Sequence, residues 1–535
     1  MAFNTPSVIA SLLIAAATYA LYTFAQWLAT TRRPPNFPPG PPATLGLGNV
    51  TQIPRDYPFL KYQEWAKQYG PITGLKIGPI NAVVLNEAPL VYDLIVKRGQ
   101  HWSGRPSRYV AKNHVWPDSP YTHSVTMSWE NSRKMRSGTK QYMLGTGLRE
   151  LLPLHQAAAT RLIYDLFQSK GSKWEETVYS WAVKTPVAML SGAKTDELGP
   201  NWVEEYEASQ HLYESILDPA TAPPVDLFPV LRWVPARFAE WKRKAPVARR
   251  ALDKVYGAMF DHAKNRRHGS FPSLINKLLA HSADPSTDPE DRLTDYEINL
   301  LMGGTLDAAA HSSAVTFQII LFALLTHPEA LRRAQTEVDA VLGTGDTLPD
   351  KIDPQQSMPF LMACIFESLR WRPVSTLSLP RETTEDQEVM GYHVPKGTMV
   401  LQNIWNINMD PDYYDEPGKY KPERYLDNPL GAKPGAPHQP GRKNVYTFGT
   451  GRRECPGAAF FYQGMGLAYA QLLWAFTIEP VGRLDPDDLK GTFMHSLVLH
   501  PRPFGVRFVP RRADTASVLL TERAKADAAF DTMLA

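Results

Sequence analysis

Residues 448–457 read FGTGRRECPG and hold Cys455, one of only two cysteines in a chain of 535 residues. A buried structural cysteine packs as a small apolar side chain and needs no special surroundings. This one is flanked by Gly449, Gly451 and Gly457, by Pro456, and by Arg452 and Arg453. Glycines allow backbone turns that a Cβ would block, and they let a flat group come close. Pro456 suits the first position of a helix expected over GAAFFYQGMGLAYAQLLWAF. The thiol would then stand at a helix N-terminus, where free N–H groups and the dipole favour a thiolate. A sulfur tuned by backbone donors is the ligand that a haem iron needs if dioxygen is to be split.

Two further stretches matter. In FESLRWRP, Glu367 and Arg370 stand three apart on one helix face, by itself an ordinary ion pair. The loop as a whole matches F-x-x-G-x-R-x-C-x-G through Phe448, Gly451, Arg453, Cys455 and Gly457, and so resembles the haem loop of the cytochrome P-450 monooxygenases. The resemblance implies that Arg424 of YKPERYL completes a Glu-Arg-Arg cluster beside that loop, a structural rather than a chemical device. It makes Cys455 the iron ligand of haem b. It assigns the propionates to Arg453, to Trp129 and Arg133 on one helix face, and to Arg381 after Leu379-Pro380, with Phe448 beside the ring.

The family also carries an A-G-x-D/E-T-T helix over the iron, and here the aligned stretch is GGTLDAAAHSSAV. Ala308 and Ala309 take the small positions. His311 stands where the acid is expected and Ser312 where the threonine is, a departure from the consensus. Ser312 keeps a hydroxyl able to donate to bound oxygen, and a histidine can relay protons near neutral pH. Asp307, one turn before His311, is a partner for it or a replacement acid. The expected chemistry is insertion of one oxygen atom into a C–H or double bond of a lipophilic small molecule, in fungal specialised metabolism.

The elements that must position these groups read as mainly α with small β-sheets, an α+β chain of cytochrome P-450 fold behind a single N-terminal transmembrane helix. Short β-like runs occur early (ITGLKIG, NAVVLN) and late (GYHVPKGTMVLQNIW, LVLHPRPFGVRFVP). Helical spacing marks 301–325 and 360–371, and HPEALRRAQTEVDAVL places Pro328 in a first turn. Residues 8–29 carry no charge over roughly the 20 positions that cross a bilayer. Residues 1–7 carry no Lys or Arg while Arg32 and Arg33 follow at once, which favours an uncleaved anchor with a cytosolic body over the competing readings, a cleaved signal peptide or a core helix. The organisation is therefore a membrane anchor over 1–33, a stiff proline-rich spacer over 34–44 that sets the distance from the membrane, one haem-thiolate catalytic domain over 45–512, and a loosely attached tail over 513–535.

Composition narrows the partners. Lys plus Arg number 57 against 54 Asp plus Glu, a balance of +3 without a concentrated basic face, which excludes nucleic acid. Two cysteines fit a reducing compartment and free thiols. The chain has no second glycine-rich nucleotide fingerprint, so electrons are expected from NADPH through a separate flavoprotein, the NADPH-cytochrome P-450 reductase, with cytochrome b5 as an additional donor. Arg442 and Lys443 are candidates for the docking face. Location at the endoplasmic reticulum membrane, single-pass with a cytosolic catalytic domain, follows from the resemblance. Residues 105–127, 301–312, 374–379 and 495–499 would face the substrate. Two other readings stay open: a haem-thiolate isomerase or dehydratase that needs no reductase, and a non-catalytic haem-binding protein.

Overall fold

β-branched and aliphatic residues make ITGLKI and INAVVL into strands Ile72–Ile77 and Ile80–Leu85, paired antiparallel across a tight turn in which Gly78 takes φ 57°. In the computed structural model, residues 5–117, 129–217, 224–266, 271–343 and 352–534 are described. Strand Met399–Gln402 adds to Ile80–Leu85 in parallel, and Arg381–Glu382 pairs antiparallel with it, giving a four-stranded sheet. One face of the sheet buries Leu75, Ala82 and Val84 against Tyr62 and Trp65 of helix Pro58–Tyr69.

The body expected as one domain gathers into two compact units. The smaller comprises Met1–Pro106, Pro224–Val234 and Leu377–Ile407, and the larger comprises Ser107–Pro223, Pro235–Thr376 and Asn408–Ala535.

In the smaller unit, helix Thr5–Thr30 is long and apolar enough to cross a membrane, and its side chains from Ile9 to Phe24 are exposed. Lys76 caps its end. The buried Nζ donates to the carbonyls of Thr30 (2.8 Å) and Pro79 (3.0 Å) and to Asn81 Oδ1 (2.7 Å). Burial pushes this ammonium down to about 8. The proline-rich stretch differs from the stand-off spacer expected from composition. It lies on the first strand: Gly74 N–H donates to Pro39 O at 2.7 Å, and a Cβ on Gly40 would fall 2.0 Å from Gly74 O. Backbone groups that prolines leave open are thus paired by the strand rather than by water.

The larger unit is helical. Helix Asp295–Thr326 is two-thirds buried, so its apolar length serves a core and not a bilayer. Its start is fixed by a capping box, with Glu297 N–H donating to Thr294 Oγ1 (3.3 Å) and Thr294 N–H to Glu297 Oε2 (2.7 Å). It packs on helices Trp174–Ser191, Pro359–Trp371 and Glu240–Asn265 and on strand Leu499–Pro501. Pro328 opens helix Pro328–Leu342 as expected. The tail does not hang loose: Thr515–Leu534 is a helix lying along Leu152–Ser169, with Val518, Leu519, Ala526 and Phe530 buried. The alanine-rich sequence hides a stripe at helical spacing wide enough to bind.

Candidate active site

The cysteine loop is built by backbone first. Gly449 and Gly451 take φ 71° and 63°, conformations that a side chain would strain. Residues Gly451–Arg453 form one 3-10 turn, and Cys455 N–H donates back to Phe448 O at 2.8 Å. Gly457 is different: its φ is ordinary, and a Cβ there would stand 3.8 Å from Cys455 Sγ. The following helix, Ala458–Ala475, starts two residues after Pro456, so the proline leads into the helix rather than opening it.

Two cations clamp the loop from outside. Arg136 Nη2 donates to Glu454 O, and Lys443 Nζ donates to Gly449 O (3.2 Å) and to Glu454 Oε1. Cys455 keeps exposed surface, yet desolvation pushes its thiol up, with Gly457 N–H and the Arg136 guanidinium pulling it back. Cys364, the other thiol, is free and buried, and burial raises it.

Arg453 turns inward, buried, and donates from Nη1 to Ser132 Oγ at 2.6 Å, which brings helix Trp129–Met143 onto the loop. Arg133 on that helix is exposed. The Trp129 side chain lies outside the described residues. Lys134 Nζ reaches Glu297 at 3.1 Å, tying the same helix to the start of Asp295–Thr326. Phe448 packs its ring 5.3 Å from both Phe461 and Tyr462. Arg381 is buried in the smaller unit, at the head of its strand. Arg442 does not belong to a docking face: it is buried, 3.8 Å from the Tyr413 ring centroid and 3.8 Å from Asp410, because the flat guanidinium stacks better on aromatics than it solvates here.

The long helix breaks its burial at one place. From Glu297 to Thr326 the exposed residues are Ala308 and His311, while Leu306, Ala310, Ala314 and Val315 around them are buried. The partly exposed Thr305, Ala309 and Ser312 extend this strip along one face. Ser312 Oγ donates to Ala308 O at 2.6 Å, a back-bond that takes the carbonyl toward the side chain and loosens the turn. His311 is pushed below its usual value, first by desolvation and then by the neighbouring His500 and His211. Asp307 differs from the partner expected for His311: its Oδ2 accepts the Tyr256 hydroxyl, and Tyr206 bonds the same carboxyl. A cleft lined by Ala309 and Ser313 on one side and Phe460, Phe461 and Gly464 on the other joins the long helix to the helix after the cysteine. Of the substrate-facing ranges, 118–127 lies outside the described residues.

Next to the loop, Glu367 sits at the centre of a buried network. Arg370 donates to both its oxygens at 2.7 Å, Arg424 Nε at 3.1 Å and Lys421 N–H at 2.8 Å. Arg370 Nη1 goes on to the carbonyls of Asn408 (2.9 Å) and Pro417 (2.8 Å). Every charge is answered, the condition under which buried ions persist.

These residues fit a haem: an exposed thiol stands in a glycine-built turn, the long helix carries a strip of small exposed side chains, and an inward arginine stands two residues before the thiol. Ser132 and Arg136 escaped sequence reasoning, although both lie three residues beyond residues it had chosen, Trp129 and Arg133.

Comparison with known proteins agrees. The family described as Cytochrome P450 matches residues 38–508. Among curated relatives, the cytochrome P450 monooxygenase yanC of Aspergillus niger is 28% identical over 503 residues, covering 92% of each chain. The cytochrome P450 monooxygenase grgG of a Penicillium species is 30% identical over 506 residues, covering 90% of this chain and 88% of the relative. Among solved structures, a zebra fish cytochrome P450 with progesterone superimposes with a TM-score of 0.69 at 22% identity, covering 85% of this chain and 99% of the other, which is a likeness of fold.

Proposed function

The chain belongs to the cytochrome P450 family, and from that premise we propose that this haem-thiolate monooxygenase places one oxygen atom from dioxygen into a lipophilic small molecule of fungal specialised metabolism. The observation that carries the reading is Cys455: its sulfur has surface, is desolvated, and receives the Gly457 N–H. Cys455 would hold the iron, Arg453 with Arg133, Trp129 and Arg381 would meet the propionates, and Phe448 would close the thiolate side. Bound haem supplies activation of dioxygen with two electrons and two protons.

The chain's own groups do the rest. The small side chains of Ala308 and Ala309 would leave room for oxygen beside a bound haem, and Ala309 borders the cleft. The Ser312 hydroxyl rests on Ala308 O and needs only rotation about χ1 to donate to another acceptor. His311, neutral near pH 7 because its pKa is depressed, can accept a proton at a ring nitrogen and pass it on. Apolar walls from Phe461 and Ala309 keep bulk water out.

Electrons come from NADPH through a separate flavoprotein reductase, with cytochrome b5 as an additional donor. The enzyme sits in the endoplasmic reticulum membrane, single-pass, with its body in the cytosol. Support comes from the apolar helix followed by Arg32 and Arg33 and from Trp27, whose ring lies 5.8 Å from Phe228 in a segment that exposes Val230 and Trp233.

Reconstitution in vesicles with NADPH-cytochrome P-450 reductase tests this. Wild type should consume dioxygen in step with NADPH, and Ser312→Ala and His311→Ala should each leak several-fold more peroxide per NADPH. No NADPH-dependent uptake by the wild type would overturn the monooxygenase reading. Unchanged peroxide in both variants would overturn the relay.

A further inference from the structure

Gly303, Asp307 and His311 follow one another at intervals of four along helix Asp295–Thr326 and form one ridge. The Tyr256 ring lies on the first of them. A Cβ at Gly303 would fall 2.3 Å from one ring carbon and 2.4 Å from the next, so only glycine admits the ring there. One turn further on, the Tyr256 hydroxyl donates to Asp307 Oδ2. Tyr206, from helix Trp202–Leu217, bonds the same carboxyl. Both phenols are buried, and burial raises them well above their usual value, so they stay protonated and able to donate. Tyr206 is itself held, stacked on Trp202 at 5.5 Å, and Trp202 Nε1 donates to Val255 O at 3.2 Å, the residue before Tyr256. Three helices therefore meet on one carboxyl group, one turn before His311.

A helix with this much aliphatic surface packs nearly as well after a small rotation about its axis, because dispersion contacts carry little direction. Each residue subtends about 100° of the helix circumference, so a rotation of a few tens of degrees would turn the exposed strip of Ala308, His311 and Ser312 away from the direction in which it now points. Directional hydrogen bonds in a desolvated site are what select one arrangement. Resting on the family reading above, we propose that Asp307 is a positioning residue: by accepting the Tyr256 and Tyr206 hydroxyls it fixes the rotation of the long helix and so aims His311 and Ser312 at the oxygen-binding side of the haem, and it does not itself deliver the proton. The Gly303 slot and the Asp307 carboxyl act together, one seating the ring and the other its hydroxyl.

The test uses the carbon monoxide complex of the reduced holoenzyme, whose C–O infrared stretch responds to the polar groups facing it. Asp307→Leu and Tyr256→Phe should shift or split that band and raise peroxide per NADPH several-fold. Asp307→Asn, which keeps an oxygen acceptor for the phenols, should retain the wild-type band. The proposal fails if Asp307→Leu and Tyr256→Phe both give the wild-type band, or if Asp307→Asn shifts it as far as Asp307→Leu, which would mark the carboxyl as the proton donor. Should Asp307→Leu not fold, Tyr256→Phe decides, since it leaves the ring in its slot. A wild-type protein whose reduced carbon monoxide complex lacks a red-shifted Soret band would instead refute the family reading.

Discussion

Glu367 concentrates the energetic stakes of a single residue. Its carboxylate answers Arg370 and Arg424, and both Glu367 and Arg370 are fully buried. Glu367→Ala leaves two guanidiniums without their anion, a loss of about 3–5 kcal/mol. Thermal unfolding of the variant, or its failure to accumulate with haem, would register this, whereas a melting temperature equal to wild type would contradict it. The pair was legible as residues three apart on a helix, and the resemblance made a buried cluster with Arg424 the expectation; the carbonyls of Asn408 and Pro417 that complete the site were not legible, because they come from far along the chain. His155 makes a second case. It is buried against Phe460 at 4.2 Å, fits over Gly464, and is pushed down to about 3. The sign follows: below pH 6.5 the unfolded chain binds a proton that the native state refuses until about pH 3, so stability falls with acidification across that window, by at most about 1.4 kcal/mol per pH unit. His155→Leu should flatten that part of the stability–pH curve; an unchanged slope would contradict the assignment. No motif marked His155, since a lone histidine in an apolar stretch carries no pattern.

At the scale of elements, local sequence pattern was a good guide. The long helix and Pro359–Trp371 were readable from apolar spacing although both are buried on most sides, and the early and late β-runs from β-branched residues between turn signals. The cysteine loop was readable too, because its glycines answer backbone demands that few other sequences make. Two segments were not. Proline content suggested a stand-off spacer, but residues 34–44 find partners in a strand 30-odd positions later, a long-range match that composition does not encode. Alanine content suggested a loose tail, but the Thr515–Leu534 helix carries Phe530 beneath the Arg161 guanidinium at 4.7 Å and an Arg523–Asp165 pair at 2.6 Å. Phe530→Ala should therefore cost about 3 kcal/mol. Thermal unfolding of the holoenzyme measures it, and an unshifted transition would return the helix to the status of an appendage. Asp307 belongs to this scale as well: sequence placed it one turn from His311, but its phenol partners lie 51 and 101 positions upstream.

For the whole molecule, the smaller unit carries more than the apolar helix Thr5–Thr30. Val230 is 71% and Trp233 86% exposed, in a segment whose Leu227 carbonyl accepts the Trp27 indole N–H at 3.4 Å. Large exposed apolar side chains beside a helix long and apolar enough to cross a membrane would lower their free energy by entering lipid. Deleting residues 1–28 should leave protein that still sediments with vesicles, and Val230→Ser with Trp233→Ser in that background should release it. Full solubility after the deletion alone would contradict this. The account as a whole depends on Cys455 as the iron's ligand, and the absorption spectrum of the reduced protein under carbon monoxide tests that most directly. Wild type should show the strongly red-shifted Soret band of a thiolate-bound haem, and Cys455→Ser should lose it while keeping its fold. A wild-type spectrum without that band, or a Cys455→Ser spectrum that keeps it, would contradict the account.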